Sequence, residues 1–361
     1  MIPIAKPQLD QAEIDAVSDV LRSGIIAEGQ RVAQFEEAFA EYTGTDHAVA
    51  VNSGTAALHA ALLAHGIGRG DEVITSSFSF IATGNSVLFT GARPVFADIC
   101  ADTFNLDPKL IEEKITPATK AIIPVHLYGH PADMEAIRDI AEDHDLILIE
   151  DTCQAHGAAL SAKKVGSFGT GAFSFYPTKN MTTSEGGMIT TNSREVAERA
   201  RMIRSHGSKQ RYLHEMLGYN LRMTDISAAI GLVQLGKLAE YTSAREHNAA
   251  LLSKGLRAIE GIQCPIVRPG CRHVFHQYTI RIRERDALAD YLKGIGIGTG
   301  IYYPIPIHRQ PYYKELGYND SLLVTEKASR EVISLPVHPG VTEEDIATIV
   351  DAISNWGGLR C

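Results

Sequence analysis

The stretch LILIEDTCQAHGAALSAKKVGSFGTGAFSFYPTKN, residues 146–180, decides the fold. It contains two apolar runs of the length of a buried strand, and the first run ends at the acid Asp151. The second run ends shortly before Lys179, which stands among apolar and small residues 28 positions after Asp151. Such surroundings are typical of lysines that form Schiff bases, because desolvation favours the neutral amine. Taken alone, Lys179 would more often be a solvated surface charge.

The same alternation of apolar runs and helical segments continues on both sides of this stretch. Apolar runs predict strands near 47–51, 72–76, 93–98, 120–126, 146–150, 171–176 and 186–191. Helical periodicity predicts helices near 10–24, 31–42, 55–65, 80–90, 107–115, 132–143 and 193–205. Near-continuous apolar strands spaced by helices are typical of a parallel sheet that is buried on both faces. The sequence therefore predicts an α/β fold in which helices flank a mostly parallel sheet.

The last third of the chain differs in character. A long helical stretch begins at Thr224 and runs toward Ile259, which is long enough to bridge two domains. Beyond it the pattern predicts strands at 274–282 and 298–303 and helices near 285–294, 322–332 and 342–355. We therefore expect a large domain over residues 1–240 and a smaller α+β domain over residues 241–361.

Charge and cysteine usage narrow the class of protein. A formal net charge of −9 and a pI near 5.9 argue against nucleic acid or an anionic membrane as the main partner, because both demand a basic face. The chain has five scattered cysteines, which are Cys100, Cys153, Cys264, Cys271 and Cys361. An odd number without paired spacing is typical of reduced thiols and predicts no metal site. No signal-like N-terminus or membrane-length apolar run is present, so we expect a soluble cytoplasmic protein.

A candidate phosphate site lies where the first predicted strand gives way to an alanine-rich helix. Ser53, Gly54 and Thr55 combine two hydroxyls with a glycine that permits close approach, at a helix N-terminus whose backbone N–H groups are free. Ser174, five residues before Lys179, could donate to the same phosphate. An ordinary helix N-cap explains Ser53 and Thr55 about as well.

The remaining signals concern a flat heterocycle. Asp151 stands at the carboxyl end of a predicted strand, where ligands of open α/β sheets collect, and could pair with a protonated ring nitrogen. Gln154 offers an amide instead of a hard metal ligand, and Phe80 could stack on a ring. A capping acid and a core aromatic are the alternative interpretations. Together with Lys179 and the phosphate site, these residues point to pyridoxal 5′-phosphate as the cofactor.

Seven stretches extend this argument from single residues to the whole chain: NSGTAAL (52–58), GDEVIT (70–75), PVHLYG (124–129), IEDTCQ (149–154), FSFYPTKN (173–180), GYNLRMTD (218–225) and YYPIPIH (302–308). As a set they are highly specific. Through them the chain resembles the DegT–DnrJ–StrS family of sugar aminotransferases, a branch of the fold-type I pyridoxal phosphate enzymes, over essentially its whole length. The resemblance implies a large domain with a mostly parallel sheet and a smaller C-terminal α+β domain.

The resemblance also implies a role for each matching residue. Lys179 would hold the cofactor as a Schiff base and act as the proton shuttle, and Asp151 would keep the pyridine nitrogen protonated. Phe80 would stack on the ring and Gln154 would bind its phenolic oxygen. The phosphate would be held by Ser53, Gly54, Thr55 and Ser174, and by Asn220 of a neighbouring subunit. Activity would then require a homodimer with shared active sites.

Three further residues are implied to face the substrate. Arg222 resembles a position that reaches a nucleotide sugar across the subunit interface, and Tyr303 and His308 resemble a wall of the substrate pocket. A surface arginine and a turn aromatic are the alternative interpretations. A local group of basic residues would reconcile a diphosphate substrate with an acidic protein.

The implied reaction is a ping-pong transamination in which L-glutamate gives its amino group and a nucleotide-linked keto sugar accepts it. Family members that act as dehydratases carry histidine where this chain has Lys179, so transamination is favoured. Residues 179–187 look like members that aminate C4 of 4-keto-6-deoxy sugars, as in perosamine synthases. Residues 206–214 look more like members that aminate C3. The sequence favours C4 and leaves a 3-keto sugar open.

Two other functions stay open at this point. One is a non-catalytic regulatory or binding protein on the same scaffold, although such a protein would typically have lost Lys179 or Asp151. The other is an inosose or amino acid aminotransferase. An amino acid enzyme usually carries an arginine for the substrate carboxylate in its C-terminal domain, and three residues are candidates: Arg272, Arg281 and Arg283.

Overall fold

A seven-stranded sheet forms the centre of the computed structural model, which describes the backbone of residues 1–360 and the side chains of residues 1–358. The strands are β1 (His47–Val51), β2 (Glu72–Ser76), β3 (Arg93–Ala97), β4 (Thr119–Ile123), β5 (Ile147–Asp151), β6 (Ala159–Leu160), β7 (Lys163–Lys164), β8 (Thr170–Ser174), β9 (Gly187–Thr191), β10 (Ser208–Gln210), β11 (Leu213–His214), β12 (Cys271–Arg272), β13 (Tyr278–Arg281) and β14 (Val332–Leu335). The central sheet has the order β1-β9-β8-β5-β4-β2-β3. Strand β9 runs antiparallel to its neighbours β1 and β8, and the other neighbouring pairs are parallel.

Helices cover both faces of this sheet. They are α1 (Gln11–Ser23), α2 (Gln30–Thr43), α3 (Gly54–Ala64), α4 (Ile81–Phe89), α5 (Met134–Asp143), α6 (Arg194–Arg204), α7 (Asp225–Leu256), α8 (Arg285–Gly294), α9 (Pro311–Glu315), α10 (Leu323–Glu331) and α11 (Glu343–Ser354). Adjacent residues of β8 show the two-sided burial, since Ala172 packs with α3 and α6 while Phe173 packs with α2. The predicted α/β fold with a mostly parallel sheet is confirmed.

Helix α7 links the sheet to the C-terminal part of the chain. Thr224 caps it, as its hydroxyl accepts a hydrogen bond from the backbone N–H of Ser227, and the helix continues for 32 residues. Its second half packs with α8, α11 and the antiparallel pair β13–β14 in a separate apolar cluster. The division at residue 240 falls within α7 and stays a prediction.

Two predicted elements are wrong. Residues 298–303 form no strand, and within this range only Gly300 forms a bridge, to Ser334 of β14. Strand β14 is also the partner of β13. The nearby prolines 304 and 306 lack the N–H that a ladder needs, which limits strand formation there. Residues 107–115 form two short 3₁₀ turns, Pro108–Leu110 and Glu112–Lys114, in place of a helix.

Two observations bear on the protein's environment. The cysteines in the described part of the chain form no disulfide, and Cys361 lies outside the described residues. None of the helices within residues 1–360 combines the length and the apolarity that crossing a bilayer demands.

Candidate active site

A cleft of about 660 Å³ opens at the carboxyl ends of β1, β5 and β8. It brings together nine of the twelve residues singled out from the sequence: Ser53, Gly54, Thr55, Phe80, Asp151, Gln154, Ser174, Lys179 and Tyr303. These residues come from five separate segments of the chain, and parallel strands deliver their ends to one edge of the sheet. The cleft is therefore the candidate active site.

One end of the cleft is suited to an anion. Ser53 is the N-cap of α3, and its Oγ accepts a hydrogen bond from Ala56 N at 3.1 Å. The adjacent Gly54 lies so close to β8 that a Cβ built on it would stand 2.5 Å from the Cβ of Ser174. Free backbone N–H groups at the start of α3 and the hydroxyls of Thr55 and Ser174 line this end.

Asp151 lies deeper in the cleft and is buried. Its Oδ2 accepts a hydrogen bond from the hydroxyl of Thr83 at 2.7 Å, and its Oδ1 accepts one from Cys153 N at 3.2 Å. An ionised carboxylate has further lone pairs, so Asp151 can accept another hydrogen bond from a protonated ring nitrogen.

Phe80 offers a ring face to the cleft. It is the N-cap residue of α4, and 54% of its surface is exposed although it is a large apolar residue. Its ring centroid lies 6.0 Å from that of Tyr303 at an interplanar angle of 41°. An exposed aromatic at the wall of a cleft is available for stacking on a flat ligand.

Gln154 is held in one orientation. Its Oε1 accepts a hydrogen bond from Tyr128 N at 2.9 Å, and its Nε2 donates to the hydroxyl of Tyr303 at 3.1 Å. Burial, reinforced by the charge of Asp151, raises the pKa of Tyr303, so this phenol keeps its proton. The amide and the phenol together provide hydrogen-bond donors at one point of the cleft.

Lys179 follows β8 through a turn in which its backbone N–H donates to the carbonyl of Tyr176. Burial lowers the pKa of Lys179, and the nearby groups of Cys153 and Asp151 oppose that shift in part. Within the described residues its ammonium group has no ion-pair partner within 4.0 Å. An amine with a lowered pKa and no ion-pair partner is suited to act as a nucleophile and a base.

The other three residues lie outside the cleft. Asn220 is exposed and Arg222 is half-buried, with its Nε 3.9 Å from a carboxylate oxygen of Glu28. His308 is fully buried, where its Nδ1 lies 2.6 Å from the hydroxyl of Ser77 and its Nε2 lies 3.3 Å from a carboxylate oxygen of Glu326. The predicted contact of His308 with substrate is thus not supported, because both of its ring nitrogens are engaged within the protein.

Several lining residues had not been singled out from the sequence. Thr83, Glu185, His276, Gln277 and Tyr302 all border the cleft. Thr83 could have been found, since it follows Phe80 by three residues and so shares the first helical turn. The pair His276 and Gln277 comes from a loop of the C-terminal part and carries no sequence signal for this position.

The candidate arginines for an amino acid carboxylate do not reach the cleft. Arg272 pairs with Glu246 at 2.7 Å, and Arg281 pairs with Glu331 at 2.6 Å. Neither these two nor Arg283 lines the site. The structure therefore gives no support to an amino acid aminotransferase that depends on one of them.

The residues present fit pyridoxal 5′-phosphate. The anion end of the cleft, formed by Ser53, Gly54, Thr55 and Ser174 and called the Gly54 cradle below, suits its phosphate because it offers free backbone N–H groups and the hydroxyls of Thr55 and Ser174. Asp151 supplies the acceptor for a protonated ring nitrogen, Phe80 supplies a stacking face, and Lys179 supplies an amine of lowered pKa.

Known proteins place this chain among aminotransferases. It is 45% identical over 97% of its length to a pleiotropic regulatory protein of Geobacillus stearothermophilus, of which the match covers 95%. It is 43% identical to dTDP-3-amino-3,4,6-trideoxy-alpha-D-glucose transaminase of Streptomyces venezuelae, covering 96% of this chain and 92% of that protein. It is also 43% identical to GDP-perosamine synthase of Caulobacter vibrioides, covering 98% and 97%.

Solved structures agree. DesV of S. venezuelae, in complex with a ketimine intermediate, superposes with a TM-score of 0.93 at 42% identity over 95% of this chain and 94% of that one. NtdA of Bacillus subtilis, with bound cofactor PMP, has a TM-score of 0.90 at 33% identity over 96% and 82%. The predicted fold-type I architecture and the predicted cofactor, pyridoxal 5′-phosphate, are confirmed.

A single family model spans the chain from residue 7 to residue 354, which includes all the cleft-lining segments. This extent excludes a match that rests on one shared domain. The chain belongs to the DegT/DnrJ/EryC1/StrS aminotransferase family.

Proposed function

We propose that this chain transfers an amino group from L-glutamate to a nucleotide-linked keto sugar in a ping-pong reaction. The observation that carries the proposal is the meeting of Lys179, Asp151 and the Gly54 cradle in one cleft. The names of two relatives, a dTDP-sugar transaminase and GDP-perosamine synthase, support a nucleotide sugar as the acceptor. The product would serve polysaccharide biosynthesis, because a further relative, 39% identical over 98% of this chain and 96% of its own length, is named spore coat polysaccharide biosynthesis protein SpsC of Bacillus subtilis.

In this proposal two side chains do the central work. Lys179 Nζ takes up a proton and returns it, which requires a neutral amine, and burial favours that form by lowering its pKa. The carboxylate of Asp151 keeps a proton on the ring nitrogen by accepting its hydrogen bond. Pyridoxal 5′-phosphate, when bound, supplies the electron sink and carries the amino group between donor and acceptor.

The proposal includes a homodimer with shared active sites. The charged side chains that line the cleft of one chain are Asp151, Lys179 and Glu185, which gives more negative than positive charge. Substrates with a diphosphate or two carboxylates need additional cationic or donor groups. Asn220 and Arg222 lie outside the cleft of their own chain, so they are available to the site of a partner subunit.

The proposed acceptor is a 4-keto-6-deoxy sugar, with a 3-keto sugar as the second candidate. Residues 179–187 favour the former, and the relative GDP-perosamine synthase supports it. The Streptomyces relative, equally similar, is named for a 3-amino sugar and supports the latter. Residue Glu185 of this loop borders the cleft, so the loop is placed to influence which carbon is presented.

The relative named as a pleiotropic regulatory protein corresponds to the alternative of a regulatory protein. That name describes the relative. In this chain the lysine and the acid needed for turnover, Lys179 and Asp151, both line the cleft, and this supports an active enzyme.

We also propose that the protein works in the cytoplasm. The cysteines within the described residues have free thiols, which would stay reduced in that compartment. Fractionation of cells that express a tagged chain tests this proposal.

The function is tested with purified protein and added cofactor. We expect a yellow protein whose visible absorbance shifts on addition of L-glutamate, with release of 2-oxoglutarate, and a Lys179→Ala variant that shows no turnover. A panel of dTDP- and GDP-linked 3-keto and 4-keto sugars, followed by NMR of the product, then identifies the carbon that receives the nitrogen. A protein that stays colourless with added cofactor, or that aminates none of the sugars, contradicts the proposal.

A further inference from the structure

We propose that Thr83 is a positioning residue for the reaction, because its hydroxyl fixes the carboxylate of Asp151 in the orientation that receives the ring nitrogen of the cofactor. The hydroxyl of Ser79 in turn forms a hydrogen bond with the hydroxyl of Thr83. This inference rests on the proposed function, in which Asp151 binds that nitrogen.

The geometry fixes the direction of each hydrogen bond. The Thr83 hydroxyl donates to Asp151 Oδ2 at 2.7 Å, and the hydroxyls of Ser79 and Thr83 are also 2.7 Å apart. Since the Thr83 proton goes to the carboxylate, Ser79 must donate to the oxygen of Thr83. The result is a chain of donors, Ser79 to Thr83 to Asp151, in which each bond polarises the next.

Burial makes this chain of donors matter. The exposed fractions of Ser79, Thr83 and Asp151 are 3%, 1% and 5%. Water therefore cannot readily replace the Thr83 hydroxyl, and a hydrogen bond to a buried charged group is stronger than one between neutral groups. With Cys153 N bound to Oδ1, one donor holds each oxygen, and the rotation of the carboxylate is fixed.

The same helical turn positions the stacking ring. Phe80 is the N-cap of α4 and Thr83 is its third residue, so one turn carries the aromatic face and the donor to the acid. The helix is held on its other side, where the hydroxyl of Tyr313 donates to Asn85 Oδ1 at 3.0 Å. A Cβ on Gly84 would stand 2.5 Å from the Tyr313 hydroxyl oxygen, which shows how closely that side is packed. Thr83 thus connects a fixed helix to the acid.

The test compares Thr83→Val, which keeps the shape and loses the hydroxyl, with Thr83→Ser, which keeps the hydroxyl. Each apoprotein is titrated with pyridoxal 5′-phosphate, and the visible absorbance of each loaded protein is followed against pH. We expect the Thr83→Val protein to bind the cofactor about tenfold more weakly, as the loss of one charge-assisted hydrogen bond implies. For the same reason, the pH at the midpoint of its absorbance change should differ from that of the wild type by about one unit. Thr83→Ser should behave like the wild type.

A matched control is Thr75→Val. Thr75 is also fully buried and donates a 2.7 Å hydrogen bond, but to the carbonyl of Ile123 within the sheet. It should leave the cofactor titration and the absorbance midpoint unchanged. Wild-type cofactor behaviour in Thr83→Val, or equal losses in the valine and serine variants, would overturn the inference. A wild-type protein that takes up no cofactor would instead refute the proposed function.

Discussion

Gly54 offers a sharp test of the site, because the consequence of adding one methyl group there can be worked out from the structure. In Gly54→Ala the new Cβ would stand 2.5 Å from the Cβ of Ser174 and 3.0 Å from Cys153 Sγ. Carbon atoms in favourable contact are separated by about 3.5–4.0 Å, so α3 and β8 must move apart by about 1 Å. Overpacking of this kind costs about 1–3 kcal/mol.

This displacement falls on the residues that line the anion end of the cleft. If about 1.4 kcal/mol of it is expressed as weaker cofactor binding, the affinity for pyridoxal 5′-phosphate falls about tenfold. We expect this loss in a titration of the apoprotein, together with a lower midpoint of thermal unfolding. The double variant Gly54→Ala/Ser174→Gly removes the 2.5 Å contact and should recover part of the stability, but it lacks the Ser174 hydroxyl and should still bind the cofactor weakly.

Gly236→Ala is the matched control. Gly236 lies inside α7, and a Cβ there would meet nothing within 4 Å. Alanine is favoured over glycine in a helix by about 1 kcal/mol, so this variant should be slightly more stable and bind the cofactor normally. Wild-type affinity in Gly54→Ala would refute the reasoning, since it would mean that the close approach of α3 and β8 does not shape the anion end of the cleft.

Three further predictions concern assembly, packing and pH. If sites are shared as proposed, mixing inactive Lys179→Ala and Asn220→Ala subunits should restore up to about a quarter of wild-type activity, since one intact site forms in each mixed dimer; no recovery after subunit exchange contradicts Asn220 acting in trans. Glu150→Ala should lower the free energy of unfolding by about 3–5 kcal/mol in denaturant melts. The reason is that the fully buried carboxylate accepts hydrogen bonds from His126 Nε2 and from the backbone N–H groups of residues 166, 168 and 169. A loss below about 1 kcal/mol would show that water replaces the carboxylate. Burial lowers the pKa of His65 from 6.5 to about 4, so the unfolded chain takes up this proton at a higher pH than the folded chain, and stability that is present above pH 6.5 is lost as the pH falls to 4. Over that range the His65→Gln variant should therefore lose about 3 kcal/mol less of its free energy of unfolding than the wild type. An identical pH dependence of the two proteins would exclude the effect.

The parts of the fold that the sequence predicts well are those in which one physical signal dominates. The strand that ends at Asp151 begins with the apolar run Ile147–Ile149, as expected for a sheet that is buried on both faces, and the sequence predicts its end to within one residue. The sequence does not predict strand β14, because Val332–Leu335 follows α10 directly and its pattern is compatible with a continuation of that helix. Only the pairing with β13 makes this segment a strand. Such pairing depends on contacts far apart in the chain, which local patterns do not carry.

The same distinction applies to the site. Residues at strand ends and helix starts, such as Asp151 and Gly54, were found because topology alone brings them to one edge. His308 was named from a motif, and the structure places it in a buried network with Ser77 and Glu326 instead of the cleft. A motif fixes the segment that approaches a site, whereas the direction of each side chain depends on packing. His276 lines the cleft without a sequence signal for the same reason.

The charge of the cleft connects these points with the proposed dimer. Among the described side chains that line it, Lys179 is the one cationic group, and burial lowers its pKa, which favours its neutral form. Asp151 and Glu185 add negative charge, while the cofactor phosphate and the proposed substrates are themselves anions. The N-terminus of α3 offsets part of this through its free N–H groups, worth about half an elementary charge. The rest of the positive charge that these anions need must come from outside the lining of one chain, whose net charge is −9. We therefore expect binding of the nucleotide sugar, more than binding of the cofactor, to depend on a second subunit.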